Sequence, residues 1–289
     1  MPAERRAVFL GTPGPLSDGV LRALIDAQTD LAGVIAIAHP PSPVPPGALP
    51  VAQPDGLDHM AAEAGVSVAF APPGNYTAML SSLRMIRPTL VVVACLAWRL
   101  DAALLTSAVE GFWNVHPSLL PRYRGPSPLF WQLRDGLRIG GVSIHRMTPR
   151  FDAGPLAAAG PVPLPLGIAE PQAEYAAGAR GGEILARLLH RNATPWPVRP
   201  QRPQLVQYQA NPTADCFRLE ANWSLEHVWR FMRGVAWRRQ PFRLAGHPVV
   251  RLREAKEYRV GAAELSDPTL DGNDWLLPFD GGILVASRG

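Results

Sequence analysis

The sequence predicts an α/β protein: a Rossmann-like parallel sheet with crossover helices, followed by a smaller, mostly β unit. Three observations carry this. Short apolar runs alternate with amphipathic stretches over the first two-thirds of the chain, the rhythm of strand–helix–strand units. A stretch punctuated by Pro195, Pro197, Pro200, Pro203 and Pro212 then interrupts the pattern. And 289 residues are long for one compact domain and comfortable for two. The expected boundaries are 1–192 for the first domain, 193–214 for a stiff extended linker and 215–289 for the second.

Residues 7–10 read as a buried strand ending in the turn Gly11-Thr12-Pro13-Gly14. Ser17 opens a helix whose Val20, Leu21, Leu24 and Ile25 share one face. Residues 31–38 make a second strand, and the seven prolines between His39 and Asp58 predict a loop without regular structure. Residues 66–71 and 90–95 are the third and fourth strands, with a helix over 76–86 between them. A fifth strand, 112–116, stops at Pro117; a helix starting over 128–133 precedes a sixth at 142–147. Residues 153–166 are strand-like but broken by four prolines, which predicts an edge or departing strand. Residues 170–191 read as one helix. In the last unit 225–233 is helical, and 248–252 and 283–286 are β-like.

Composition excludes several classes. Apolar residues at 47% and charged residues at 18% exclude a disordered chain. Cys95 and Cys216 cannot build a disulfide framework, no Cys/His cluster has zinc spacing, and no metal is expected. Cys95 reads as a small buried apolar residue. The longest apolar run, 90–98, is about half a membrane span. The apolar run behind Arg5 and Arg6 is too short for a signal-peptide core, so the expectation is a soluble, cytoplasmic protein with no membrane partner.

The pI near 9.5 invites a nucleic-acid reading. Net charge is only +4, however, and 27 of the 28 basic residues are arginine. Residues 23–83 hold no Lys or Arg, so a polyanion must dock elsewhere. Between Glu226 and Arg259 nine basic residues face three acidic ones, the one plausible platform; an ordinary arginine-rich surface stays open beside it. DNA is not expected as a partner.

The first turn lacks the G-x-G-x-x-G spacing of a dinucleotide site, and no acidic residue ends the second strand, so a structural turn is favoured. There is no G-x-S-x-G elbow and no phosphate-binding G-x-x-x-x-G-K-[ST]. The informative stretch is Asn114-Val115-His116-Pro117-Ser118-Leu119-Leu120-Pro121-Arg122-Tyr123-Arg124-Gly125. Asn114 and His116, two apart on one strand, project from the same face at a strand end, where open α/β sheets bind ligands. Phe151-Asp152-Ala153-Gly154-Pro155 places a carboxylate in a small-residue turn after another strand. An amide, an imidazole and a carboxylate suit acyl transfer without a covalent enzyme intermediate. Asn114 donates to a developing oxyanion, His116 polarises it or moves protons, and Asp152 holds the imidazole and raises its pKa. Spacing alone leaves purely structural roles open. Arg122 and Arg124 read equally as anion ligands or as loop anchors. His145 reads as a packed strand histidine, and Trp113 and Trp131 as core or interface aromatics.

The run 114–125, with Gly141-Val142-Ser143-Ile144-His145-Arg146-Met147 and Asp152-Ala153-Gly154-Pro155, resembles the folate-dependent formyltransferase family. That family includes methionyl-tRNA and amino-sugar N-formyltransferases and a 10-formyltetrahydrofolate hydrolase. Gly11-Thr12-Pro13 resembles its first turn, and the stretch from Phe217 through Trp223 the start of its barrel-like C-terminal domain. The resemblance implies 10-formyltetrahydrofolate as co-substrate and a primary amine as acceptor, either a small-molecule amine such as an amino sugar or an aminoacyl-tRNA. It implies catalytic roles for Asn114, His116 and Asp152. It further implies a pterin slot along Ala94, Leu96, Trp98, Thr148 and Arg150, and acceptor contacts at Ser118, Arg122 and Arg124. Two departures stand out: the proline-rich loop after the second strand carries no Lys or Arg, and Trp98 follows the fourth strand where a glycine-containing turn is usual. Two other readings remain at this point, the hydrolase, and a catalytically silent module that binds RNA or another partner through 226–259.

Overall fold

A computed structural model describes residues 5–38, 56–191, 195–261 and 265–289. Most of the proline-rich loop, at 39–55, lies outside the described residues. The chain divides into two compact units. One comprises the described residues up to Arg124 with Gly141–Val162 and Glu174–Tyr208; the other comprises Gly125–Gly140, Pro163–Ala173 and Gln209–Gly289.

The first unit is built on β1 (Ala7–Gly11), β2 (Leu31–Ala36), β3 (Val68–Phe70), β4 (Leu90–Ala94), β5 (Gly111–His116), β6 (Ile139–Arg146) and β7 (Leu156–Pro163). They lie in the order β3-β2-β1-β4-β5-β6-β7. Through β5 every pair is parallel. Helices α1 (Pro15–Asp26), α2 (Leu57–Glu63), α3 (Tyr76–Ile86), α4 (Ala102–Leu105) and α6 (Glu170–His190) fill the connections, while α5 (Pro128–Arg134), between β5 and β6 in sequence, belongs to the second unit. The strands are apolar at consecutive positions because both faces are covered. Ala7, Phe9, Val92 and Ala94 pack with α1, α2 and α6, while Val8, Leu10, Val91 and Val93 pack with α3 and α4. Burying each such large side chain contributes about 1.5–3 kcal/mol.

The sixth strand departs from the parallel pattern. β6 runs antiparallel to β5, with Asn114 opposite His145 and His116 opposite Ser143. The connection after β5 therefore stays at the carboxyl edge of the sheet instead of crossing back. Two short helices, α2 and α4, escaped the sequence reading because each presents too few turns for a periodic signal.

The segment after α6 forms main-chain bonds within the first unit. Arg199 and Leu156 exchange N–H···O bonds of 2.8 and 2.9 Å, Gln207 N donates to Pro121 O at 3.1 Å, and Arg124 N donates to Gln207 O at 2.8 Å.

In the second unit six strands lie in the order β11-β12-β13-β10-β9-β8. They are β8 (Arg218–Leu219), β9 (Phe242–Leu244), β10 (His247–Val260), β11 (Thr269–Asp271), β12 (Asp274–Phe279) and β13 (Gly282–Arg288). All pairs are antiparallel except β8–β9. Helix α7 (Leu225–Val235), capped by Ser224, sets Val228, Phe231 and Met232 against Phe242, Leu252 and Leu284, with Phe130 and Leu133 of α5 in the same core. Its buried Arg230 is paired with Glu226 and donates to Leu164 O; buried Glu170 is held by Arg238 and Trp237, as a charge taken from water requires.

Candidate active site

Strand register assembles the site. Asn114 is flanked by Val93 of β4 on one side and by His145 of β6 on the other. Val115 points into the core from the opposite face, so Asn114 and His116 share the site face.

The hydrogen bonds of His145 fix its tautomer. Nδ1 lies 3.1 Å from the carbonyl oxygen of Arg146, an acceptor only, so Nδ1 carries the proton and donates. The lone pair on Nε2 then accepts from Asn114 Nδ2 at 3.1 Å. One amide hydrogen of Asn114 is committed there, which leaves the second hydrogen as a donor aimed away from β6.

His116 is 4% exposed, and its Nε2 donates to the carbonyl oxygen of Tyr123 at 2.8 Å. Nδ1 faces Asp152 Oδ1 at 3.5 Å, and the same oxygen lies 3.6 Å from His145 Nε2. Burial pushes the His116 pKa below its ordinary value, outweighing the opposing pull of Asp152. The neutral ring carries its proton on Nε2 and turns the Nδ1 lone pair toward Asp152.

Two residues in contact with His116 sit in the left-handed backbone region, Asp152 at φ 50° and Tyr123 at φ 55°. Aspartate visits this region more readily than most residues; for a bulky aromatic it is an outlier that the surroundings must enforce. Gln201 supplies part of that enforcement. Its Nε2 donates to the carbonyls of Asp152 and Gly154, both at 2.7 Å, while its Oε1 accepts from Arg124 Nε at 3.1 Å and Nη2 at 2.6 Å. Gly154 lets the turn close onto β6: a Cβ there would lie 1.7 Å from Arg146 O.

Leu96, Trp98, Leu100 and Met147 wall a slot floored by Asn114, His145 and Asp152 and bordered by the 148–152 loop. The slot measures about 30 Å³, room for a water-sized body. Asn114, Asp152, Leu96, Trp98, Thr148 and Arg150 thus line one slot, while His116 stands behind Asp152. Ala94 is fully buried, its carbonyl accepting from Thr12 N at 3.4 Å, and lies outside the slot lining. Ser118 is buried too: its Oγ donates to Arg122 O at 2.8 Å and its carbonyl accepts from Ser143 Oγ at 2.7 Å, bonds that hold the loop together. Arg122 is exposed and outside the slot, and Arg124 turns to Gln201. Cys95 is exposed, not buried, at φ 53°, because the chain turns sharply as it leaves β4. Among the described residues no group of three or more His, Cys, Asp or Glu side chains could hold a metal ion, and no helix is long and apolar enough to cross a membrane.

Sequence reasoning missed two members of the site. His145 is buried, yet it faces Asn114 and Asp152; the antiparallel turn of β6 decides this, and no local pattern announces it. Gln201 lies in a proline-rich stretch with no signal of its own.

The sheet of this α/β protein thus brings an amide, two imidazoles and a carboxylate together beside β5. The family model described as formyl transferase matches residues 6–165, and the chain belongs to that family. It is 35% identical over 160 residues to the methionyl-tRNA formyltransferase of Roseiflexus castenholzii, an alignment covering 55% of this chain and 50% of that protein. With the methionyl-tRNA formyltransferase of Thermotoga neapolitana it shares 33% identity over 152 residues, 53% of this chain and 47% of that one. The chain thus spans about half the length of the curated relatives it matches. Among solved structures it is similar to an N-formyltransferase from Helicobacter canadensis, determined with folinic acid and dTDP-3-aminofucose, at a TM-score of 0.69 and 10% identity over 99% of each chain. It is also similar to WlaRD, a sugar 3N-formyl transferase, at a TM-score of 0.64 and 11% identity over 99% of this chain and 98% of that one. At these identities the likeness is one of fold.

Proposed function

We propose that the protein transfers the formyl group of 10-formyltetrahydrofolate to a primary amine in the slot floored by Asn114, His145 and Asp152. The observation that carries this reading is the fixed amide of Asn114, with one hydrogen held by His145 and the other left to meet a developing oxyanion. The amine nitrogen attacks the formyl carbon, and the carbonyl oxygen takes up the negative charge beside Asn114. The attacking nitrogen gives up a proton to the Asp152–His116 pair, where the neutral Nδ1 is ready to receive it. The bond from the formyl carbon to the folate nitrogen then breaks. That nitrogen takes the proton, leaving tetrahydrofolate and an N-formyl product. The apolar walls formed by Leu96, Trp98, Leu100 and Met147 suit the face of a flat pteridine.

A small-molecule amine is the favoured acceptor. The absence of Lys and Arg over 23–83 supports this, because a phosphate backbone there would find no counter-charge. Donor consumption in the presence of nucleotide-linked amino sugars, free amines and charged tRNA tests the reading. Acceptor-dependent loss of donor supports transfer, formate release without acceptor would make the protein a hydrolase, and consumption with tRNA alone would overturn the small-molecule preference.

A further inference from the structure

We propose that Arg99, Arg124 and Arg150 form an anion subsite that receives a phosphate or diphosphate group on the amine substrate. The assignment rests on reading the adjacent slot as the place of formyl transfer.

The three arginines converge on a cleft of about 300 Å³ that Phe151, Val206 and Tyr208 complete. Arg99, Arg150 and Phe151 line both this cleft and the slot, so a group seated in the cleft lies next to the reacting atoms. Several arginines elsewhere in the chain are neutralised by a carboxylate: Arg5, Arg138, Arg230 and Arg238 are each ion-paired to a glutamate. Among the described residues none of the three cleft arginines has such a pair. Three like charges around one cleft repel one another unless an anion joins them. Burial pulls the Arg124 guanidinium below its ordinary range, and the charge of Arg150 adds to that against the pull of Asp152.

Two of the three are also held in place before any ligand arrives. Gln201 binds Nε and Nη2 of Arg124, leaving Nη1 uncommitted, and Arg99 lies 5.2 Å from the Phe151 ring centroid. Guanidiniums fixed in this way lose little freedom on binding. A phosphate, with about two charges and three acceptor oxygens, answers three arginine forks better than a lone carboxylate does.

Calorimetric titration of pyrophosphate into the full chain tests the proposal, using wild type, Arg99→Gln, Arg150→Gln and, as a control, Arg251→Gln on the exposed face of β10. The expected result is binding to wild type that weakens about tenfold in Arg99→Gln and in Arg150→Gln and is unchanged in Arg251→Gln. Saturating folinic acid should leave pyrophosphate binding intact. No binding to wild type, or equal weakening in the control, would overturn the subsite. Displacement by folinic acid would overturn it too, by assigning the arginines to the carboxylates of the donor. Because binding is read without turnover, an inactive protein leaves this result standing, and failure to bind pyrophosphate leaves the formyl-transfer reading standing.

Discussion

Across the β5–β6 pair the amide nitrogen of Asn114 lies 3.1 Å from Nε2 of His145, whose other nitrogen is tied to a backbone carbonyl. The strand partner of Asn114 thereby fixes which way its amide points. His145→Ala frees that amide to rotate. Turnover should fall roughly tenfold, less than for loss of the donor itself, with the Michaelis constant for the folate little changed. Steady-state kinetics with varied donor would show it; an unchanged kcat would mean the amide is oriented by something else.

Gln201 is a positioning residue, reaching the chemistry through the Asp152 turn. Gln201→Ala removes its bonds to two carbonyls and to Arg124, and urea unfolding should register about 2 kcal/mol of lost stability. Gln201→Glu keeps the acceptor for Arg124 but sets a carboxylate oxygen against the carbonyls of Asp152 and Gly154. It should therefore lower kcat more than Gln201→Ala does. The reverse order would show that Arg124, not the turn, is what the glutamine holds.

Two histidines, the buried His116 and the half-buried His227, set an acid limit on stability. Burial pushes the pKa of His116 and of His227 below the ordinary 6.5. Below that value the unfolded chain binds protons that the native chain refuses, so stability is full above pH 6.5 and declines as pH falls toward the depressed native values. Denaturant unfolding between pH 7.5 and 5 should show this decline, and a shallower one for His116→Gln. Equal slopes for the two proteins would place the native His116 near its unperturbed value.

Trp98 stands in the wall of a slot too small for a pteridine. Trp98→Ala should open it, and folinic acid should bind severalfold more tightly by calorimetry. Weaker binding would show that the indole stacks on the ring and does not obstruct it.

Much of the fold is legible in the sequence because its strands are continuous apolar runs and its longer helices are periodic. The expected helix over 76–86 coincides with α3, and the expected strands of the first unit end within three residues of the observed ones; in the second unit β10 runs eight residues past the expected 248–252, and β8, β9, β11 and β12 were not expected. Asn114 and Asp152 were likewise readable, one from a strand-end pattern and the other from a small-residue turn. His145 and Gln201 were not. The first is decided by the direction of β6, which depends on a connection that never crosses the sheet; the second acts through contacts between residues 47 and 77 apart in sequence.

The most direct measurement is donor consumption by wild type and by Asn114→Ala, both checked for native folding by circular dichroism, with an acceptor that supports turnover. Loss of the amide should lower the rate of formyl transfer roughly a hundredfold or more while folinic acid still binds. Near-equal rates in the two proteins would contradict the role of Asn114 and, with it, the placement of the reaction in this slot.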